Sequence, residues 1–366
     1  MADADGEHRR ALERVLRDVA ERRGRTRCRT DVAATSTDGA NFTSLLFRGC
    51  IAQPGYADIK FFAKVAAVGE VFRSQLPTQI FLAEQFAYTR LAEIFEKIQN
   101  DNNISEPNRL RLPLLLGYDN SPPREVLVLE DLGAEGYYTH DRLQSFEWTY
   151  AAASVRQLAI MHSLSIAMQH NYPQEYDEVS KTLLLKKFNP GEDPGAVKQM
   201  ISKAIGITRE ENRERLMNYV QEKLPQVMNL FYEVQRRPVL VHGDFRPSNT
   251  MHKDLSDGTC DVVIIDYQTL HIGSVAKDLM YFIFTGSDAA FRRQHYQALL
   301  DYYYQNLSLA LRRLRLNPDI VFPREDFDYE VNEAGRLTKC IDQPNHEPDR
   351  ARLKFEDSHV KGKGQI

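Results

Sequence analysis

VLVHGDFRPSNTMHKD, residues 239–254, decides how the chain is read. A short apolar run ends abruptly at His242-Gly243-Asp244, and Asn249 follows five residues after the aspartate. Downstream, VVII at 262–265 ends in Asp266-Tyr267-Gln268. Two runs of strand length thus each end in a carboxylate, with an amide between them. Ser256-Asp257-Gly258 is a turn signal that can close a hairpin between 249–254 and 261–266. The apolar runs hold the strands, and their ends deliver Asp244, Asn249 and Asp266 to one place.

Such a set suits phosphoryl transfer from a nucleotide. That reaction needs a group that positions and deprotonates the incoming hydroxyl, ligands for Mg2+, and a cation on the phosphates. Magnesium prefers hard oxygen ligands and keeps several waters, so one or two side chains suffice. Asp244 fits the hydroxyl-facing role, and Asn249 and Asp266 fit the metal roles. The Asp244-to-Asn249 spacing equals that of the protein-kinase loop H-R-D-x-x-x-x-N, and Asp266-Tyr267-Gln268 stands where a kinase places D-F-G.

The remaining parts should lie upstream. Lys64 sits in FFAKVA at alternating strand spacing, and Glu84 follows twenty residues later on the next helix, where a Lys–Glu pair would hold the ATP phosphates. TDGANFTS, 37–44, lies between two strands and can cover phosphates with backbone N–H groups. LVLEDLG, 127–133, reads as a hinge whose backbone around Glu130 to Leu132 would hydrogen-bond adenine.

The wider pattern agrees. Leu12, Val15, Leu16 and Val19 recur at helical spacing over residues 7–22, with Gly24 as a stop. FTSLLFRGCIA and ADIKFFAKVA flank the turn QPGY and read as an antiparallel hairpin. An amphipathic helix is expected over 78–98, then strands in PLLLGYDN and REVLVLEDLG. After Gly133 the pattern turns helical, over 143–169, 194–234 and 275–313. The domain reading is an N-terminal helix at 1–29, a nucleotide-binding lobe at 30–132, a helical lobe at 133–330, and a polar tail at 331–366 expected to be disordered or loosely packed.

Composition narrows the classes. The chain has 366 residues, too many for one ordinary core, with 42% hydrophobic and 27% charged residues. A net charge of −4 argues against a nucleic-acid partner, and ERRGRTRCR reads as the polar end of a helix. The four cysteines form no CxxC pair, which favours a reducing, cytoplasmic setting. No apolar leader and no run of membrane-spanning length is visible, so no membrane partner is expected. Oligomeric state is not legible.

HGDFRPSN and IDYQ, with FFAKV, AEQFAY and LVLEDLG upstream in that order and KDLMYFIFTG downstream, resemble the ecdysteroid kinase-like family, a branch of the aminoglycoside and choline phosphotransferase superfamily. The likeness spans roughly residues 30–330. It implies an α+β, two-lobed protein-kinase-like fold: a small antiparallel β-sheet lobe with one helix, and a mainly helical second lobe. It also implies ATP, Mg2+ and a small-molecule alcohol as acceptor, an ecdysteroid or a similar lipophilic alcohol. Asn41 and Ser44 match the family's phosphate-loop pattern, although Gly39 is that loop's one glycine. Family members continue with further helices where this chain turns polar, which suggests a truncated or alternative end.

Two alternatives stand beside this reading. The acceptor is choline or another small alcohol or xenobiotic; or the protein is a catalytically impaired nucleotide- or steroid-binding protein, as the single-glycine loop and short end suggest. Blander roles are assigned to other residues. His242 braces the loop, His162 is a satisfied core histidine, and the aromatics from Tyr281 to Tyr304 are mostly core, with the wall of an apolar acceptor pocket as the lesser reading. Asp278 is a helix-start carboxylate that, by the resemblance, supports the loop backbone. Arg246 meets a phosphate or faces solvent.

Overall fold

A computed structural model describes residues 2–35, 43–68, 73, 79–183, 196–222 and 236–338. Helix α1, Ala2–Arg22, ends two residues before Gly24, whose φ of 70° is the left-handed stop that the sequence suggests. Five strands follow: β1 Arg29–Thr35, β2 Ser44–Ala52, β3 Ile59–Ala66, β4 Leu115–Asp119 and β5 Val126–Glu130. They form one antiparallel sheet in the order β1-β2-β3-β5-β4.

Strand alternation gives this sheet two buried faces. Phe61, Ala63, Val65, Val126 and Val128 point to one side and pack with Leu12, Val15, Leu16 and Val19 of α1. Burying each of the Val, Leu and Phe side chains stabilises by about 1.5–3 kcal/mol. The approach is close because β4 carries Gly117, where a Cβ would meet Val19 Cγ2 at 2.6 Å and Val15 Cγ1 at 3.1 Å. The helix expected as a separate N-terminal segment therefore covers the back of the sheet.

Leu127 and Leu129 face the opposite way, against α2. Helix α2 consists of Ile80–Phe86, a π-helical turn at Ala87–Leu91 and Ala92–Asp101. Such a turn inserts an extra residue and is frequent at functional sites. It puts Tyr88 edge-on to Tyr267, with ring centroids 5.6 Å apart.

The second lobe is built on α3, Trp148–Asn171, whose seventeen buried positions from Tyr150 to Met168 leave little polar face. Further helices are α4 Pro173–Thr182, α5 Ala196–Ile207, α6 Glu210–Glu222, α7 Val275–Gly286, α8 Ala289–Arg313, α9 Pro318–Val321 and α10 Arg324–Thr338. Ser287 and Asp288 divide the expected 275–313 helix, and Asp288 caps α8 through the Phe291 N–H. Helix α10 runs into the expected polar tail, of which 339–366 lies outside the described residues.

Short strands sit between the lobes. β6, Tyr138–Thr139, pairs with β8, Thr250–Asp254, which pairs with β9, Cys260–Ile264. β7, Val239–Val241, pairs with β10, His271–Gly273. The β8–β9 hairpin closes with Gly258 at φ 82°, as the Ser-Asp-Gly signal suggests. Among the described residues no helix is long and apolar enough to cross a membrane.

Candidate active site

All three residues of β7 are buried, so the strand anchors the loop that leaves it. The chain exits through Gly243 at φ 82°, where a Cβ would meet the Thr269 carbonyl oxygen at 2.4 Å. Only glycine permits that approach without moving the loop. Asp278, in the first turn of α7, accepts the His242 N–H at 2.7 Å and the Gly243 N–H at 2.9 Å. It also meets His162 Nε2 at 3.2 Å, and His162 Nδ1 pairs with the Tyr303 hydroxyl at 2.6 Å. Asp278 thus supports the loop backbone, and His162 is a satisfied core histidine. Burial works against the Asp278 carboxylate, but the His162 hydrogen bond, the nearby His162 and His242 rings and the Gly243 N–H hold its pKa below the usual range.

His242 links the two carboxylate segments. Its Nε2 donates to the Ile265 carbonyl at 3.0 Å, and its Nδ1 accepts from the Asp244 N–H at 3.3 Å. One neutral tautomer satisfies both contacts, so the ring braces the loop.

Asp244 and Asn249 come together across the 3₁₀ turn Pro247–Asn249. The Asn249 amide nitrogen donates to the Asp244 carbonyl and to its Oδ2, each at 2.8 Å. With its nitrogen pinned there, the Asn249 side-chain oxygen is turned away from Asp244. Arg246 Nε lies 3.4 Å from the same Oδ2. Tyr281, from α7, lies near Asp244; burial first, then the Asp244 charge, push its phenol up to about 12. Spacing alone leaves Arg246 undecided and groups Tyr281 with the core aromatics. Of that group, Phe282 and Tyr303 are fully buried, whereas Tyr281 is 41% exposed.

Asp266 emerges beyond β9 with φ 67°, a left-handed conformation uncommon outside glycine. Its Oδ1 lies 3.0 Å from Lys64 Nζ, and that ammonium lies 2.6 Å from Glu84 Oε1. Gln268 Nε2 donates to Glu84 Oε2 at 3.1 Å, which ties the segment after β9 to α2. Lys64 and Glu84 are 13% and 4% exposed at their side chains. Burial opposes the ammonium, yet Asp266 and Glu84 outweigh it and raise the Lys64 pKa. Burial raises the Glu84 carboxyl, with Lys64 opposing. Gln268 gives no sequence signal of its own, since its partner lies 184 residues away.

Lys64, Asn249 and Asp266 line a cleft of about 540 Å³ between the lobes. Leu46, Phe62, Leu129, Met251 and Ile265 supply apolar walls, and Glu130 and Leu132 lie at the hinge. Two hinge groups are already engaged: the Glu130 N–H donates to the Leu114 carbonyl at 2.9 Å, and the Leu132 carbonyl accepts from the Tyr137 N–H at 3.1 Å. The Glu130 carboxylate is held by Arg111 and the Leu114 N–H at 2.9 and 3.0 Å. Ser44 lines a smaller cavity of about 200 Å³, shared with Lys64 and Glu84. Asn41 lies outside the described residues.

The donor set fits a hard divalent cation. Among the described residues no group of three or more His, Cys, Asp or Glu is placed to hold a metal by itself. Asn249 and Asp266 nevertheless line one cleft and could offer two hard oxygen donors, the number that suffices for Mg2+ alongside phosphates and water. A larger cavity of about 1530 Å³ lies behind the cleft, sharing Tyr88 and Pro113 with it. It contains none of Lys64, Glu84, Asp244, Asn249 and Asp266, so the candidate site is the interlobe cleft.

The model of the ecdysteroid kinase-like family matches residues 38–316. No curated protein matches the chain. Solved structures with a similar chain path include the GDP complex of wild-type aminoglycoside 2'-phosphotransferase-IIIa, at 12% identity over 88% of this chain and 96% of that one, with a TM-score of 0.38. A glucosamine kinase is similar at 14% identity over 88% and 78%, with a TM-score of 0.32.

Proposed function

The chain belongs to the ecdysteroid kinase-like family, kinase-like phosphotransferases that act on small molecules, and from that premise we propose that it transfers the γ-phosphate of ATP to the hydroxyl of an ecdysteroid or similar lipophilic alcohol. One observation carries the reading. Lys64, Glu84 and Asp266 form a single ion-paired cluster at the cleft, and the Asp244–Asn249 pair stands beside it in the same loop system.

Asp244 receives the acceptor's proton as the acceptor oxygen bonds to the γ-phosphorus. The bond from that phosphorus to the β–γ bridging oxygen breaks, and ADP leaves. Asn249 orients the Asp244 carboxylate through its Oδ2. Lys64, fixed by Glu84, neutralises phosphate charge. Mg2+, when held by the Asn249 oxygen and Asp266, supplies further neutralisation of the phosphates. The transition state is loose, so positioning and charge stabilisation dominate.

The acceptor end favours an uncharged alcohol over choline. Arg246 places a cation 3.4 Å from the base, which disfavours a quaternary ammonium there. The test is to incubate the protein with ATP, Mg2+ and a panel of ecdysteroids and small alcohols, and to look for phosphorylated product by mass spectrometry. A phosphorylated lipophilic alcohol supports the reading. ATP binding with no turnover of any acceptor supports the impaired binding protein instead.

A further inference from the structure

Two cations are paired with the candidate carboxylates. Lys64 is committed to Glu84 and Asp266 on the cleft side. Arg246 is committed to Asp244, which does not line that cleft, and neither Arg246 nor Tyr281 does. Tyr281 lies near the same pair, so guanidinium, carboxylate and phenol are neighbours. Arg246 Nε is buried and makes no hydrogen bond; its contact with Asp244 Oδ2 is electrostatic, at 3.4 Å. A guanidinium has five donors in a fixed fork that matches phosphate geometry. Nε is buried against the base, whereas the Arg246 side chain as a whole is 35% exposed, so the rest of the fork is open to an incoming oxygen.

We propose that Arg246 is a catalytic residue that holds the phosphoryl group as it reaches the acceptor oxygen, an arginine finger supplied from within the catalytic loop itself. The inference rests on the phosphotransfer reading above. In the step, the acceptor O–H proton goes to Asp244, the acceptor oxygen–phosphorus bond forms, and the phosphorus–bridging oxygen bond breaks to release ADP. Arg246 neither gains nor loses a proton. It counters the negative charge on the three equatorial oxygens while they lie between the two bonds. Lys64 holds the departing side, and Arg246 holds the arriving side. The ion pair with Asp244 then keeps the fork beside the base before the phosphoryl arrives.

The test needs no known acceptor. ADP with Mg2+ and aluminium fluoride mimics the phosphoryl in flight, whereas ADP alone mimics the departed state. Affinities for both are measured by calorimetry for the wild type, Arg246→Met and Arg246→Lys. The wild type is expected to bind the fluoride complex more tightly than ADP. Arg246→Met should lose about 100-fold in affinity for the fluoride complex while its ADP affinity stays near wild type. Arg246→Lys should recover part of the loss through its point charge. An Arg246→Met protein that keeps the wild-type preference for the fluoride complex overturns the proposal. So does one that loses ADP and fluoride-complex affinity equally, because that is a structural defect. A wild type that binds no ADP removes the phosphotransfer reading and this proposal with it.

Discussion

Lys64 and Asp266, 202 residues apart, meet at 3.0 Å and join the sheet lobe to the segment that carries the metal-binding candidates. Lys64 completes the contact by holding Glu84 at 2.6 Å from α2. One ammonium therefore compensates two carboxylates, one of them 32% and the other 4% exposed.

Removing that ammonium strands both acids. Lys64→Met is expected to lower unfolding free energy by about 3 kcal/mol, the low end for a broken buried pair because Asp266 is partly solvated. It should also weaken ATP binding strongly. Urea unfolding and nucleotide titration measure the two effects, and an unchanged midpoint with unchanged affinity would contradict the arrangement.

Gly243→Ala forces a side chain into a left-handed backbone with the Thr269 carbonyl 2.4 Å away. The expected cost is about 1–3 kcal/mol of stability, and the loop must shift, carrying Asp244 with it. Turnover should therefore fall much more than nucleotide affinity. A variant with wild-type kcat would mean that the loop tolerates the displacement.

Asp278 makes stability depend on pH in a definite direction. Its folded pKa is lowered, so the folded state favours the carboxylate. The contribution is fully present above the unfolded value of about 3.9 and is lost as pH falls through the folded pKa. Asp326, lowered chiefly by its hydrogen bond from Arg237, acts the same way. The informative comparison is wild type against Asp278→Asn in urea melts from pH 6 to below pH 4. The variant should start less stable and lose less on acidification; parallel curves would remove Asp278 from this role.

Asn249→Leu keeps roughly the volume but removes both the amide that holds Asp244 and the oxygen offered to a cation. The Mg2+ concentration for half-maximal turnover should rise, and chelation with EDTA should stop turnover in the wild type. A magnesium titration identical to wild type would take Asn249 out of the metal site.

Much of the site can be read from spacing because its parts lie at ends of short elements. Asp244 and Asn249 share one turn, Asp266 follows the next strand, and Lys64 lies on the cleft-facing register of β3. Gln268 is not legible as a site residue, since its role depends on Glu84, reached only through tertiary packing. Alternation also cannot say what covers a strand's second face. The stripe of α1 is visible as a helix, but its seat over Gly117 depends on a close approach that only the folded sheet defines. The π turn at Ala87–Leu91 is hidden for a related reason, because one inserted residue barely changes the helical pattern of apolar positions.

In the proposed mechanism Asp244 is the base. The direct measurement is product formation, by mass spectrometry, from ATP, Mg2+ and an acceptor that the wild type phosphorylates, compared between wild type and Asp244→Asn, with ATP affinity measured alongside. Asp244→Asn is expected to lose about 10²–10⁴-fold in turnover while ATP binding stays near wild type. Retained wild-type turnover would contradict it.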